Sequence, residues 1–130
     1  MVDLLVLIDS ALRGTRGAAV FLVSVTHGSL KFAGAGNIRA VIQTPEHQKT
    51  LITQNGIAGV RMGRVSPIEQ TWDGQGYLIL HSDGLTTKWD LTVYPGLLQR
   101  HPAVLAAVLY RDFSRGTDDS TVVVIRGQPQ

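Results

Sequence analysis

The sequence predicts an α+β fold, with helices packed on mainly antiparallel sheet. Two observations carry this. Apolar residues recur at helical spacing near both ends of the chain, and a series of short β-branched runs lies between them, separated by glycine-bearing turns. The resulting order, helix, many strands, helix, strand, is that of an α+β arrangement. A chain of 130 residues is one domain's worth, able to bury roughly two-thirds of its unfolded surface.

Leu4, Leu5, Leu7, Ile8 and Leu12 define a first, core-facing helix from Val2 to Arg13, with Gly14 as its stop. Ala18 to Thr26 is a strand run, His27-Gly28-Ser29 a turn, and Leu30 to Ala33 the start of a second strand. Gly34 to Asn37 forms a tight glycine-rich corner before Ile38 to Gln43 resumes strand character. Lys49 to Thr53 alternates, and Asn55-Gly56 carries a hairpin signal. Val65 to Trp72 and Tyr77 to His81 are two further strands joined by Asp73-Gly74-Gln75-Gly76. The continuous run Leu78-Ile79-Leu80 reads as a strand buried on both faces. After a short polar stretch and the segment Tyr94 to Gln99, Pro102 opens a second helix. Val104, Leu105, Val108, Leu109 and Phe113 form its apolar face and Gly116 its end. Thr121 to Ile125 is the last strand, followed by a frayed tail, Arg126 to Gln130.

Composition bounds the chemistry. The chain is 44% hydrophobic and 17% charged, too apolar for a disordered segment. With 6% aromatics, the core is built from aliphatic side chains. There is no cysteine, which excludes disulfides, zinc-thiolate sites and thiol nucleophiles and fits a reducing, cytoplasmic setting. The net charge is only +2 and the basic residues are scattered singly, so no nucleic-acid-binding stripe is expected. The apolar stretch Val2 to Ile8 contains Asp3 and is too short to span a bilayer, so no membrane partner is expected either.

Two places set carboxylates at the end of an apolar strand. Asp83 follows Tyr77 to Ser82 and precedes Gly84; Asp118 and Asp119 lead into Thr121 to Val124. Neighbouring strands of one sheet would bring these carboxylates together, and oxygen ligands of this kind suit hard cations that activate water and neutralise phosphoryl charge. By spacing alone the solvated turn is the commoner reading, since Asp-Gly is among the most frequent turn dipeptides.

The words around these aspartates carry more. His81-Ser82-Asp83-Gly84-Leu85-Thr86 resembles the SDG motif of the protein phosphatase 2C family, and Gly116 to Val122 resembles its closing DD-x-T or DN-x-T motif. Thr15-Arg16-Gly17-Ala18-Ala19 and Gly34-Ala35-Gly36-Asn37-Ile38 are similar to signatures of its bacterial branch, the SpoIIE, RsbU and RsbX serine phosphatases. The segment Leu80 to Val123, with Trp89-Asp90, Tyr94-Pro95-Gly96 and Tyr110 to Phe113, looks most like members joined to an ATP-binding, histidine-kinase-like module.

The resemblance implies an α-β-β-α sandwich and a serine/threonine phosphatase working through two Mn2+ or Mg2+ ions. Asp83 and Asp118 would be metal ligands, Asp119 a supporting residue, and Gly84 a point of close backbone approach. The expected substrate is a phosphoserine on an anti-sigma factor antagonist in a partner-switching pathway. The family's upstream D-G-x-G-H-G motif, which bridges both metals, is absent, and Asp3 and Asp9 are poor substitutes. The sequence begins at the helix that should follow that motif, which reads as the C-terminal part of such a domain, residues 1–130, with its N-terminal strands missing. Weak or no activity follows, as does self-association through open sheet edges. The alternatives are a non-catalytic regulatory or protein-binding module derived from the phosphatase fold, and a structural α+β domain with accidental motif matches.

Gly34-Ala35-Gly36-Asn37 does not complete a dinucleotide fingerprint. Ser82, His81 and Asp83 cannot act as a triad, because consecutive strand residues point to opposite faces. His81 reads as a packed strand residue, Trp72 and Trp89 as anchors in the core or at loop bases (Trp89 also as part of a substrate flap), and Arg13, Arg16 and Arg39 as solvated arginines within reach of a phosphate role.

Overall fold

The computed structural model describes residues 1–128. Its elements are α1 (Val2–Leu12), β1 (Val20–Thr26), β2 (Ser29–Ala35), β3 (Arg39–Gln43), β4 (Gln48–Leu51), β5 (Ile68–Thr71), β6 (Tyr77–His81), a 3-10 turn at Leu97–Gln99, α2 (Pro102–Phe113) and β7 (Val122–Arg126). All strand pairs are antiparallel, in two sheets ordered β1-β2-β5 and β4-β3-β6-β7. The α+β class read from the sequence is therefore the observed one. The contacts group into two compact units, Met1–Ile38 with Ile52–Trp72, and Arg39–Leu51 with the chain from Asp73 onward.

In the first unit, α1 places Leu5 among Ala33, Ala35 and Val65, with Val20, Leu22 and Met62 packed around them. The helix departs from the sequence expectation in one respect. Leu5 is buried and Ile8 and Leu12 are half-buried, but Leu4 and Leu7 are exposed. The cause is the 3.6-residue period: apolar residues stand on both sides of this helix, and one side alone faces the sheet. Asp9 accepts the Gly59 amide at 2.8 Å and pairs with Arg13 at 3.5 Å, fastening the helix to the loop before β5.

That loop also corrects the expected hairpin. The chain reverses over Gly59 (φ +87°), where Ile57 and Arg61 exchange backbone bonds of 3.0 and 2.8 Å, and not over Asn55-Gly56. The glycine corner is shorter than its sequence suggests, because Gly34 and Ala35 complete β2. A Cβ on Gly34 would lie 2.3 Å from the Val20 carbonyl oxygen, so the glycine there serves close strand packing.

In the second unit, β6 lies between β3 and β7 and is buried at all five positions, as its unbroken apolar run requires. Val41 and Ile79 meet Leu105 and Leu109 of α2, together with Leu85, Trp89, Leu91 and Leu97 from the intervening segment. Pro102 stands at the first turn of α2, and His101 caps it by accepting the Ala103 amide at 3.2 Å. The helix ends at Phe113, before Gly116, because Ser114 is already extended and bridges Leu85. Tyr77 donates to the Leu98 and Arg100 carbonyls at 3.1 and 2.7 Å, which fixes the entry to α2. Two sequence words meet here: the Tyr94 hydroxyl donates to Asp112 at 2.7 Å while Arg111 donates to the same carboxylate. Those two bonds hold the Asp112 carboxyl at about 2. Arg126 belongs to β7 and not to a frayed tail; Pro129 and Gln130, also assigned to that tail, lie outside the described residues. Among the described residues no helix is long and apolar enough to cross a membrane.

The two helices thus make opposite predictions for similar substitutions. Leu109→Ala removes a fully buried side chain and is expected to cost about 2–5 kcal/mol in urea denaturation. Leu7→Ala, at 65% exposure, is expected to change stability by less than about 0.5 kcal/mol.

Candidate functional site

The candidate site lies where β6 ends and β7 begins. The antiparallel register pairs His81 with Val122, so the two loops that carry Asp83 and Asp118 emerge side by side. Ser82 carries the pairing one step further. Its amide donates to the Thr121 carbonyl at 3.1 Å, its Oγ accepts the Thr121 amide at 3.0 Å, and the same hydroxyl donates to the Asp119 carbonyl at 3.3 Å.

Gly84 closes the clamp. Its φ is not in the left-handed region, so conformational freedom is not what the position needs. It needs space: a Cβ there would stand 2.3 Å from the Asp119 carbonyl oxygen and 2.5 Å from Ser120 Oγ. The close approach expected of Gly84 is thus made by the Asp119–Ser120 segment. Arg115 and Thr86 add bonds between the same two loops, from the Arg115 amide to the Gly84 carbonyl at 2.8 Å and from the Thr86 amide to the Phe113 carbonyl at 2.9 Å.

Asp83, Asp118 and Asp119 are all exposed on this clamped pair of loops. Asp118 turns one carboxylate oxygen onto the Asp119 amide at 2.8 Å. Among the described residues, no three His, Cys, Asp or Glu side chains gather closely enough to hold a metal ion. A Mg2+ or Mn2+ centre of two ions draws on several carboxylates held between them. The donor set among the described residues does not fit such a centre. The arginines weighed for a phosphate role are engaged locally, Arg13 with Asp9 and Arg39 with Thr50 at 3.3 Å, while Arg16 is exposed.

Behind the loops stands a polar pair that sequence reasoning did not join. His81 is 2% exposed; its Nδ1 lies 2.8 Å from the Ser82 carbonyl and its Nε2 accepts the Trp89 indole N–H at 3.2 Å. With both ring nitrogens so engaged, the proton sits on Nδ1 and the imidazole is neutral. Burial pushes its pKa below 6.5, against the opposing pull of the Ser82 carbonyl, and the Arg39 charge adds to the lowering. Trp89 is thereby a core anchor behind the loop. The roles of Ser82 and His81 were legible only as their place beside Asp83, since Ser82 acts through contacts across 37 and 39 residues.

No family model and no curated protein matches the chain. Solved structures do. One chain from work on the bacterial stressosome, described as a modular system adapted to control secondary messenger signalling, matches at TM-score 0.80 and 25% identity over 95% of this chain. RsbX in complex with magnesium matches at 0.68 and 18% over 89%, and a variant of a bacterial serine phosphatase at 0.67 and 15% over 97%. This chain spans 66%, 59% and 62% of those chains respectively.

These values correct the assignment to the SpoIIE-type serine phosphatases made from the motifs. The better-superposing likeness is to a structure described as part of a signalling system, and the phosphatase likenesses are weaker and show the fold alone. The motifs misled for a physical reason. Gly84 and Ser82 within SDG are kept here by the backbone clamp, and Gly34 by strand packing, so these words mark the scaffold whether or not it holds metal.

Two measurements follow from this geometry. Gly84→Ala forces the clamp apart and is expected to destabilise by about 1–3 kcal/mol, while Gly116→Ala, with nothing near its Cβ, is expected to show only the smaller cost of its left-handed backbone, about 1 kcal/mol. Because the folded-state pKa of His81 lies below 6.5, the unfolded chain takes up the proton first as pH falls. Stability from this group is therefore complete above 6.5 and declines below it, down to the folded-state value. An NMR titration of the His81 ring should give a midpoint below 6.5; a midpoint at or above it would contradict the neutral, indole-bonded imidazole.

Proposed function

We propose that this chain is a non-catalytic regulatory module on a phosphatase-type α+β scaffold, acting in signalling by binding protein partners. The observation that carries the reading is the clamp between the Ser82–Gly84 and Asp119–Thr121 segments. It joins the two loops that carry Asp83 and Asp118, whose carboxylates are exposed, and among the described residues no three acidic or imidazole side chains gather to hold a metal ion. The 25% identity and TM-score of 0.80 with a stressosome chain support a place in protein-based signal transduction. The cysteine-free composition is compatible with the cytoplasm. Asp83 and Asp118 in this reading are surface residues of the recognition face, and any divalent ion they attract is held weakly through water.

The reading is tested by assaying the purified chain for hydrolysis of p-nitrophenyl phosphate and a phosphoserine peptide with millimolar Mn2+ or Mg2+. The expected rate is the metal-blank rate, with the wild-type chain and the Asp83→Asn and Asp118→Asn variants indistinguishable. Metal-dependent turnover that both variants abolish would overturn the proposal.

A further inference from the structure

The loop between β4 and β5 holds apolar side chains out to solvent. Ile57 and Val60 are 45% and 62% exposed. A Cβ added to Gly17 would meet a methyl of each, at 2.6 and 2.9 Å, so the two side chains adjoin. With Met62 they line an open cavity of about 710 Å³ between Asn55 and Gly63, within the size range of ligand and anchor pockets. The loop is fixed in this shape. Ala18 and Ala58 exchange backbone bonds of 3.0 and 2.9 Å, and the Gly59 amide donates to Asp9 at 2.8 Å.

The rim of this cavity carries one sign of charge. Arg61 lines it, Arg64 follows Gly63 at its edge, and Arg16 precedes Gly17 beside Ile57 and Val60. All three arginines are exposed, and none has an ion pair among the described residues. Segments 13–19 and 52–64 contain no Asp or Glu, and Asp9, the acid bonded to the loop, is already paired with Arg13. An apolar concavity rimmed by charge marks an interaction site, and positive potential over an apolar floor is complementary to an acidic, amphipathic chain. We infer that this loop docks an acidic peptide segment of a partner protein. The segment's aliphatic or aromatic anchors seat against Ile57, Val60 and Met62, and its carboxylates face Arg16, Arg61 and Arg64. A concave site on one fixed loop suits a peptide better than a flat lipid surface. A short peptide buries less than the ~800 Å² per partner of a standard interface, so binding is weak, with a Kd on the order of 10–100 µM. The inference rests on the chain being a protein-binding module and names the chemistry of its partner; metal-dependent turnover would overturn that function without altering the peptide binding measured below.

Amide NMR titration of the full chain tests it with three short capped peptides: glutamates interspersed with leucines at helical spacing, the same peptide with lysine for glutamate, and the same with serine for leucine. The expected result is saturable binding of the glutamate–leucine peptide, with shifts confined to residues 15–18 and 55–64. The lysine and serine peptides should bind at least about tenfold more weakly. Val60→Glu is expected to weaken binding about tenfold, and Arg61→Glu or Arg64→Glu about three- to fivefold each, with circular dichroism confirming that each variant is folded. The double arginine variant should prefer the lysine peptide. No binding of the glutamate–leucine peptide, shifts centred elsewhere, or equal binding of the serine peptide would overturn the inference. Phosphatidylglycerol vesicles bound in place of the peptide would overturn it too, assigning the loop to a membrane surface.

Discussion

The two-bond clasp of Ser82 on Thr121 is the constraint on which the rest of the second unit's site end depends. It carries the β6–β7 ladder one residue beyond the strands, so the loops that follow β6 and precede β7 leave the sheet already joined. Everything nearby is arranged to allow that contact. Gly84 lacks the Cβ that would strike Asp119, Ser114 leaves the helix early to bridge Leu85, and His81 is held from behind by Trp89. The apolar run of β6 makes the clasp stable by burying the strand throughout, leaving its backbone no solvent to compete for the ladder.

The same constraint separates scaffold from chemistry. A backbone clasp between two loops needs a small hydroxyl residue and a glycine at fixed places, and these are also the residues that make up a phosphatase-like motif. A metal centre needs more: several oxygen donors converging on one point and shielded from competing water. The first requirement is met in this chain, and among the described residues no three acidic or imidazole side chains gather toward the second.

Much of the architecture was legible in the sequence. The bounds of β6 could be read directly, because an uninterrupted apolar run flanked by Gly76 and Ser82 permits little else. Both helices were legible from their periodicity, and the adjacency of the Asp83 and Asp118 loops from the pattern of strands. Three features were not. Period alone does not tell which apolar side of α1 meets the sheet, since both sides satisfy it. Asn55-Gly56 carries strong local turn chemistry, but the Ala18–Ala58 bridge and the Asp9–Gly59 bond place the reversal three residues later. The His81–Trp89 bond ties the end of β6 to the segment that follows it, and neither residue's neighbours in sequence announce it.

On the proposed function, Asp83 and Asp118 hold no two-ion metal centre. Paramagnetic broadening of amide NMR signals by Mn2+ tests it residue by residue. The expected result is only weak, non-saturating broadening around Asp83 and Asp118, no stronger than at other exposed carboxylates such as Glu46 and Glu69. Selective loss of the Ser82–Thr86 and Asp118–Thr121 signals that saturates near stoichiometric Mn2+ would contradict it.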